Sequence, residues 1–188
     1  MNLALATKLP RVGTTIFTTM SQLAAEHSAV NLGQGFPDFD VPPFLVEALA
    51  QAMREGHNQY APMAGVPALR EAIAEKAAGL YGARVDAGSD ITVTSGATEA
   101  IFCAVHAAVR AGDEVIVLDP CYDSYEPAID LAGARAVHVP LVEPGFRVDW
   151  QRVREAITPR TRMLIVNSPN NPTGAVFSAA DLDALAAI

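Results

Sequence analysis

From Asp90 onward the chain alternates short apolar runs with helix-patterned stretches, and this alternation constrains the fold more than any other feature. The apolar runs at 91–94, 114–118, 135–139 and 162–166 have strand length. Between them, 97–110, 124–132 and 149–157 read as helices, and another helix begins at Ser178. In the first of these, Ile101, Ala104, Val105 and Ala108 fall on the inward face. Short, largely apolar strands joined by helices indicate a mostly parallel sheet covered on both faces, a three-layer α/β fold. Such sheets bind ligands beyond the carboxyl ends of their strands. The residues after Thr94, Leu118 and Val166 are therefore where function is expected.

The chain before Asp90 has a different texture. Residues 1–40 read as an N-terminal arm and loop, with a helix over 16–27 and a turn-rich stretch, Asn31-Leu-Gly-Gln-Gly-Phe-Pro-Asp-Phe-Asp40. The main domain is expected over 41–188. Its first helix carries Leu45, Ala48, Leu49, Ala52 and Met53 at helical spacing, opened by Pro42 and Pro43 and ended by Gly56. A second helix spans 67–80, with Leu69, Ile73 and Leu80 on one face.

Composition excludes several functions. Hydrophobic residues make up 51% and charged residues 18%, enough for a packed core. A net charge of −8 argues against a nucleic-acid partner, which needs a basic patch, and against an anionic membrane surface. No run approaches the ~18 apolar residues of a membrane span. The first residues lack the basic start and long apolar core of a signal peptide, so a cytoplasmic protein is expected. Cys103 and Cys121 read as reduced thiols, with a disulfide the less favoured alternative. The four histidines show no ligand spacing, so no metal is expected. Gly33-Gln-Gly35 is not a dinucleotide loop, because Pro37 and Asp38 break the pattern and no strand–helix frame surrounds it.

Three strand-end motifs carry chemistry. Ser95-Gly-Ala-Thr-Glu-Ala100 opens a helix after a strand. Backbone N–H groups and the helix dipole favour a phosphate there, with Gly96 allowing close approach and Ser95 and Thr98 adding hydroxyls. An ordinary turn capped by Ser95 is the competing reading. Tyr122 follows the next strand and can stack on a planar ligand, or be a half-buried aromatic. Met163-Leu-Ile-Val-Asn-Ser-Pro-Asn-Asn-Pro-Thr-Gly174 delivers amides to a cleft. Asn171 can donate to a ring oxygen there and Pro172 stiffen the loop, or the whole stretch can be a proline-rich turn.

Taken together and in this order, these motifs resemble the N-terminal half of class I/II aminotransferases, the fold-type I enzymes that use pyridoxal 5′-phosphate (PLP). The resemblance runs through nearly the whole chain. It is most similar to the methionine, kynurenine and glutamine aminotransferase group, through Val30-Asn-Leu-Gly-Gln-Gly-Phe-Pro-Asp-Phe39, Gln59-Tyr-Ala-Pro-Met-Ala-Gly65 and Asn167-Ser-Pro-Asn-Asn-Pro-Thr-Gly174. The resemblance implies that Gly96, Ala97 and Thr98 hold the PLP phosphate. It implies that Tyr122 stacks on the pyridine ring and that Asn171 hydrogen-bonds the ring's phenolic oxygen. It assigns Tyr60 to the phosphate of a neighbouring subunit across a homodimer interface. Gly35 is expected beside the substrate carboxylate and Phe17 in the side-chain pocket. The partners implied are an amino acid, methionine-like or aromatic, and a 2-oxo acid.

The resemblance also implies a Schiff-base lysine, and this chain offers Lys8 in the N-terminal tail and Lys76 in an amphipathic helix. Neither is placed at a strand end. Family members are about twice this length, so the chain reads as an N-terminal fragment, inactive alone, with no catalytic residue of its own. A PLP-dependent carbon–sulfur lyase of the same fold is the enzymatic alternative. A non-catalytic module on this fold is the other, disfavoured by the acidic charge and the absence of a leading helix-turn-helix domain.

Overall fold

The computed structural model describes residues 6–10, 12–35 and 37–188, and these form two compact units. One comprises Gly13–Thr94. The other comprises Ser95–Ile188 together with the residues up to Val12.

The Gly13–Thr94 unit holds three helices: α1 (Ile16–Glu26), α2 (Pro43–Arg54) and α3 (Pro67–Tyr81). Their ends follow local chemistry. Thr15 caps α1, its hydroxyl accepting the Thr18 N–H at 3.3 Å. Proline opens α2 and α3, where a missing N–H costs nothing. Gly82, with φ +64°, ends α3 in the left-handed conformation. The apolar faces expected for α2 and α3 exist but are open: Leu45, Leu49, Met53, Leu69, Ile73 and Leu80 are all exposed.

The expected strand over 91–94 is not one. The segment is extended and forms no ladder, although the Val93 N–H donates to the Ala64 carbonyl at 3.0 Å. A strand is defined by its partner, and no described strand runs beside this one. Apolar composition alone does not supply a partner.

The second unit is the predicted alternation: α4 (Ala97–Ala108), β1 (Glu114–Asp119), α5 (Tyr125–Leu131), β2 (Arg135–Pro140), α6 (Trp150–Ala156), β3 (Thr161–Ile165) and α7 (Ala179–Ala186). The three strands form one parallel sheet in the order β2-β1-β3. Val117 of β1 aligns with His138 of β2 and Ile165 of β3. On the β3 side the register slips after Glu114, so that Arg162 is the extra residue.

Central β1 is apolar on both sides because it faces two cores. Val115 and Val117 pack with Val105 and Val109 at the end of α4 and with Tyr125, Ala128 and Ile129 of α5. Ile116 and Leu118 pack on the opposite face with Val139, Leu141 and Val153 of α6. Three layers result, and each buried valine or isoleucine contributes roughly 1.5–3 kcal/mol. In α4, Val105 is buried and Ile101 packs beside it, while Ala104 and Ala108, expected inward, are exposed.

At the amino ends of the strands, Glu114 is buried to 1% exposure. Its carboxylate accepts from Arg135 at 2.8 Å and from the Thr158 hydroxyl at 2.8 Å, and Arg160 lies 2.6 Å away. These partners, Arg135 foremost, hold its pKa down to about 2.

Candidate functional site

The central strand has its neighbours joined across opposite faces of the sheet. From β1 the chain passes through α5 to β2 on one side, then through α6 on the opposite face to β3 on the other side. Ligands of open α/β sheets bind beyond the carboxyl ends of the strands. The loops at that point are 120–124 after β1 and 166–177 after β3, with the start of α4 in the same unit.

The α4 start has no side-chain cap. Gly96 is its N-cap, with φ +88°, a conformation that side-chain-bearing residues rarely adopt. A Cβ at this position would meet nothing within 4 Å, so the space before the helix is open. Helical pairing begins with the Ala100 N–H on the Gly96 carbonyl, which leaves the first-turn N–H groups of Ala97 and Thr98 directed out of the helix end. Ser95 does not cap the helix. Its own N–H instead donates to the Glu99 carboxylate.

Tyr122 is half-buried at the end of β1. Its hydroxyl lies 3.5 Å from the Thr98 hydroxyl, at the outer limit of a hydrogen bond. Its ring meets Tyr125 edge-on at a centroid distance of 5.9 Å. Buried Tyr125 in turn ties the two loops together, its hydroxyl accepting from Asn167 Nδ2 at 3.4 Å.

The loop after β3 divides the labour between two adjacent asparagines. Asn170 is buried at 8% exposure. Its side-chain oxygen accepts the Thr173 hydroxyl at 2.8 Å and the Thr173 N–H at 3.2 Å. Its backbone N–H donates to Ala175 and its carbonyl accepts from Gly174. Asn171 is exposed, and its amide engages no partner among the described residues. A closed, self-bonded turn therefore presents one open amide.

Gly96, Ala97, Thr98, Tyr122 and Asn171 thus sit on the carboxyl-end loops and helix start of one unit, with a direct contact between Thr98 and Tyr122. Phe17, Gly35 and Tyr60 belong to the other unit. Phe17 is half-buried in the first turn of α1. Gly35 is exposed, and a Cβ there would meet nothing within 4 Å. Tyr60 is fully exposed in a loop with Asn58, Gln59 and Ala61. Lys8 and Lys76 are both exposed, and Lys76 lies within α3.

Sequence reasoning missed Asn167, Asn170 and Tyr125 as the residues that hold these loops together. Asn167 and Asn170 sit inside the motif, but their role depends on partners that only folding supplies. Among the described residues there is no group of side chains suited to a metal and no helix long and apolar enough to cross a membrane. Cys103 and Cys121 are free thiols.

The donor set fits a phosphorylated aromatic ligand: an uncapped helix start for the phosphate, an aromatic face, and an open amide for a ring substituent. Residues 27–188 match the family described as aminotransferase class I and II. The chain is 58% identical over 178 residues to the methionine aminotransferase of Escherichia coli, covering 95% of this chain and 46% of that protein. The crystal structure of YbdL from Escherichia coli, reported with a methionine aminotransferase function, superimposes with a TM-score of 0.94 at 56% identity, over 98% of this chain and 48% of that one. N-succinyldiaminopimelate aminotransferase from Mycobacterium tuberculosis superimposes with a TM-score of 0.92 at 49% identity, over 98% and 48%. The chain therefore spans about half the length of the relatives it matches.

Proposed function

The chain belongs to the class I and II aminotransferases, and on that footing we propose that it supplies the cofactor-cradling part of a PLP-dependent aminotransferase. The observation that carries this reading is the contact of Thr98 with Tyr122 beside an uncapped helix start, in the unit that also presents the open Asn171 amide. PLP, when bound, supplies the electron sink that lets an amino group leave one carbon skeleton and join another.

The chain's own residues bind and orient. The N–H groups of Ala97 and Thr98 and the Thr98 hydroxyl bind the phosphate, favoured by the α4 dipole. Gly96 keeps the approach clear. The Tyr122 ring covers one face of the pyridine and excludes water from it. The Asn171 amide donates to the ring oxygen, while Asn170 and Thr173 keep that amide in place. In the same reading, residues 1–40 are the arm and substrate loop and 41–188 the cofactor-binding domain. Phe17 and Gly35 serve the substrate, and Tyr60 serves the phosphate site of a second subunit in a homodimer. The two free thiols support a reducing, cytoplasmic setting. The substrates are an amino acid and a 2-oxo acid, with a methionine-like or aromatic donor.

The lysine that moves the proton is assigned to none of these 188 residues, since neither Lys8 nor Lys76 lies at a strand end. Two measurements test the proposal. The protein as its gene encodes it, given PLP, methionine and a 2-oxo acid, should yield a new amino acid. 2-Oxobutyrate, methanethiol and ammonia instead would indicate the lyase. The 188-residue chain alone should sustain no turnover, and steady product formation by it would overturn the assignment.

A further inference from the structure

Two titratable side chains stand together at the carboxyl ends of β1 and β2, and the cofactor reading uses neither. In the parallel register Val117 aligns with His138 and Asp119 with Pro140. Side chains alternate along a strand, so Asp119 shares the face of Val115 and Val117, the face covered by α4 and α5. His138 Nδ1 lies 2.7 Å from Asp119 Oδ2 across the two strands. The two side chains are 41% and 36% exposed. A half-exposed pair of this kind contributes only about 0–1 kcal/mol to stability, so stability gives little reason for it.

Its position gives a better one. Asp119 is the last residue of β1, and Pro120, Cys121 and Tyr122 follow it directly. The Cys121 thiol is pushed up to about 12, by burial first, then by the neighbouring Asp119 carboxylate and the charges of Glu126 and Asp123. The thiol therefore stays protonated in the field of that carboxylate. The loop is thus anchored at its root to β2 through Asp119 and His138. Its far end is anchored by Tyr122 against Tyr125 and Thr98.

We infer that Asp119 and His138 are a positioning pair for the Tyr122 loop, holding the ring of Tyr122 in the orientation that cofactor binding uses. The inference rests on the proposed role of Tyr122. Neither residue of the pair touches the cofactor. His138 orients Asp119, Asp119 fixes the root of the loop, and Tyr122, three residues on, is carried in register.

The test uses the gene-encoded protein in a Cys103→Ser background. Equilibrium dialysis gives the PLP Kd, peptide mass spectrometry the rate of Cys121 alkylation by iodoacetamide, and thermal melts the folded state. His138→Leu should weaken PLP binding roughly tenfold, as expected when an aligned contact loses its support, without lowering the melting midpoint. His138→Asn, which keeps a donor near the Nδ1 position, should restore wild-type affinity; a structural filler would not be rescued in this way. Asp119→Asn should speed Cys121 alkylation several-fold, with or without PLP. If PLP binds wild type but equally well to His138→Leu and Asp119→Asn, the inference is overturned and the proposed function stands. Unchanged Cys121 reactivity in Asp119→Asn also overturns it. Absence of PLP binding to wild type overturns the proposed function, and the inference with it.

Discussion

Asn170 takes both the backbone N–H and the hydroxyl of Thr173 on one side-chain oxygen, at 3.2 and 2.8 Å. This bifurcated acceptance makes Asn170 a builder and Asn171 a presenter, although the two are adjacent and chemically identical. Replacing Asn170 with alanine should cost about 1–3 kcal/mol, because buried donors lose their acceptor. Replacing Asn171 with alanine should leave the melting midpoint unchanged and weaken PLP binding. Urea unfolding together with equilibrium dialysis separates the two effects. Equal destabilisation by both changes would contradict the division.

Gly65 has φ +106°, and a Cβ built there falls 2.6 Å from Val93 Cγ2. The Val93 N–H donates to Ala64 next door, so the backbone has little room to shift. Gly65→Ala should therefore destabilise the Gly13–Thr94 unit by about 1–3 kcal/mol. Gly79→Ala, inside α3 with open space around the added carbon, should be neutral or stabilising. Thermal melts of the two variants give opposite signs if this is right.

Glu114 sets an acid limit on folding. Its pKa lies near 2 in the folded chain against an ordinary 4.5. The unfolded chain therefore binds the proton more readily as the pH drops. The stabilisation from this group is fully present above 4.5 and is lost progressively from there toward 2. Melting midpoints measured from pH 6 down to pH 2 should fall across this window. Glu114→Gln should lower the midpoint at neutral pH and flatten that part of the profile. A parallel fall in the variant would assign the acid sensitivity elsewhere.

The single tryptophan reports on α7. Trp150 Nε1–H donates to Asp181 Oδ1 at 2.9 Å, while Asp181 Oδ2 accepts the N–H and hydroxyl of Ser178 in a capping box. Asp181→Ala removes the N3 partner and the indole acceptor together. It should cost about 1 kcal/mol through the cap and shift Trp150 emission to the red. An unshifted emission spectrum would show that the indole has kept its environment without Asp181.

Much of the fold was readable before folding, and particular residues show why. Pro43, Pro67 and Gly82 mark helix ends because their backbone restrictions are local. Val115–Leu118 reads as a doubly covered strand because its apolar run has no polar alternation. The segment 91–94 misled for the complementary reason: its residues have strand character, but pairing is a property of two segments. The site divides in the same way. Gly96, Tyr122 and Asn171 announce themselves by residue type at strand ends. Asn170, Asn167 and the Asp119–His138 pair do not, since each acts through a partner distant in sequence or through a turn that closes only on folding.

The central position of β1 has a consequence for synthesis. This strand leaves the ribosome after α4 but before either neighbouring strand exists, so its face toward α6 and its two hydrogen-bonding margins must wait. The first margin is covered when Arg135–Pro140 emerges and the second only after Thr161–Ile165 is made. Throughout that interval the most hydrophobic strand of the sheet is the least protected. The pace of translation between codons 119 and 165, and the access of a chaperone to the nascent chain, therefore bear directly on the yield of folded protein.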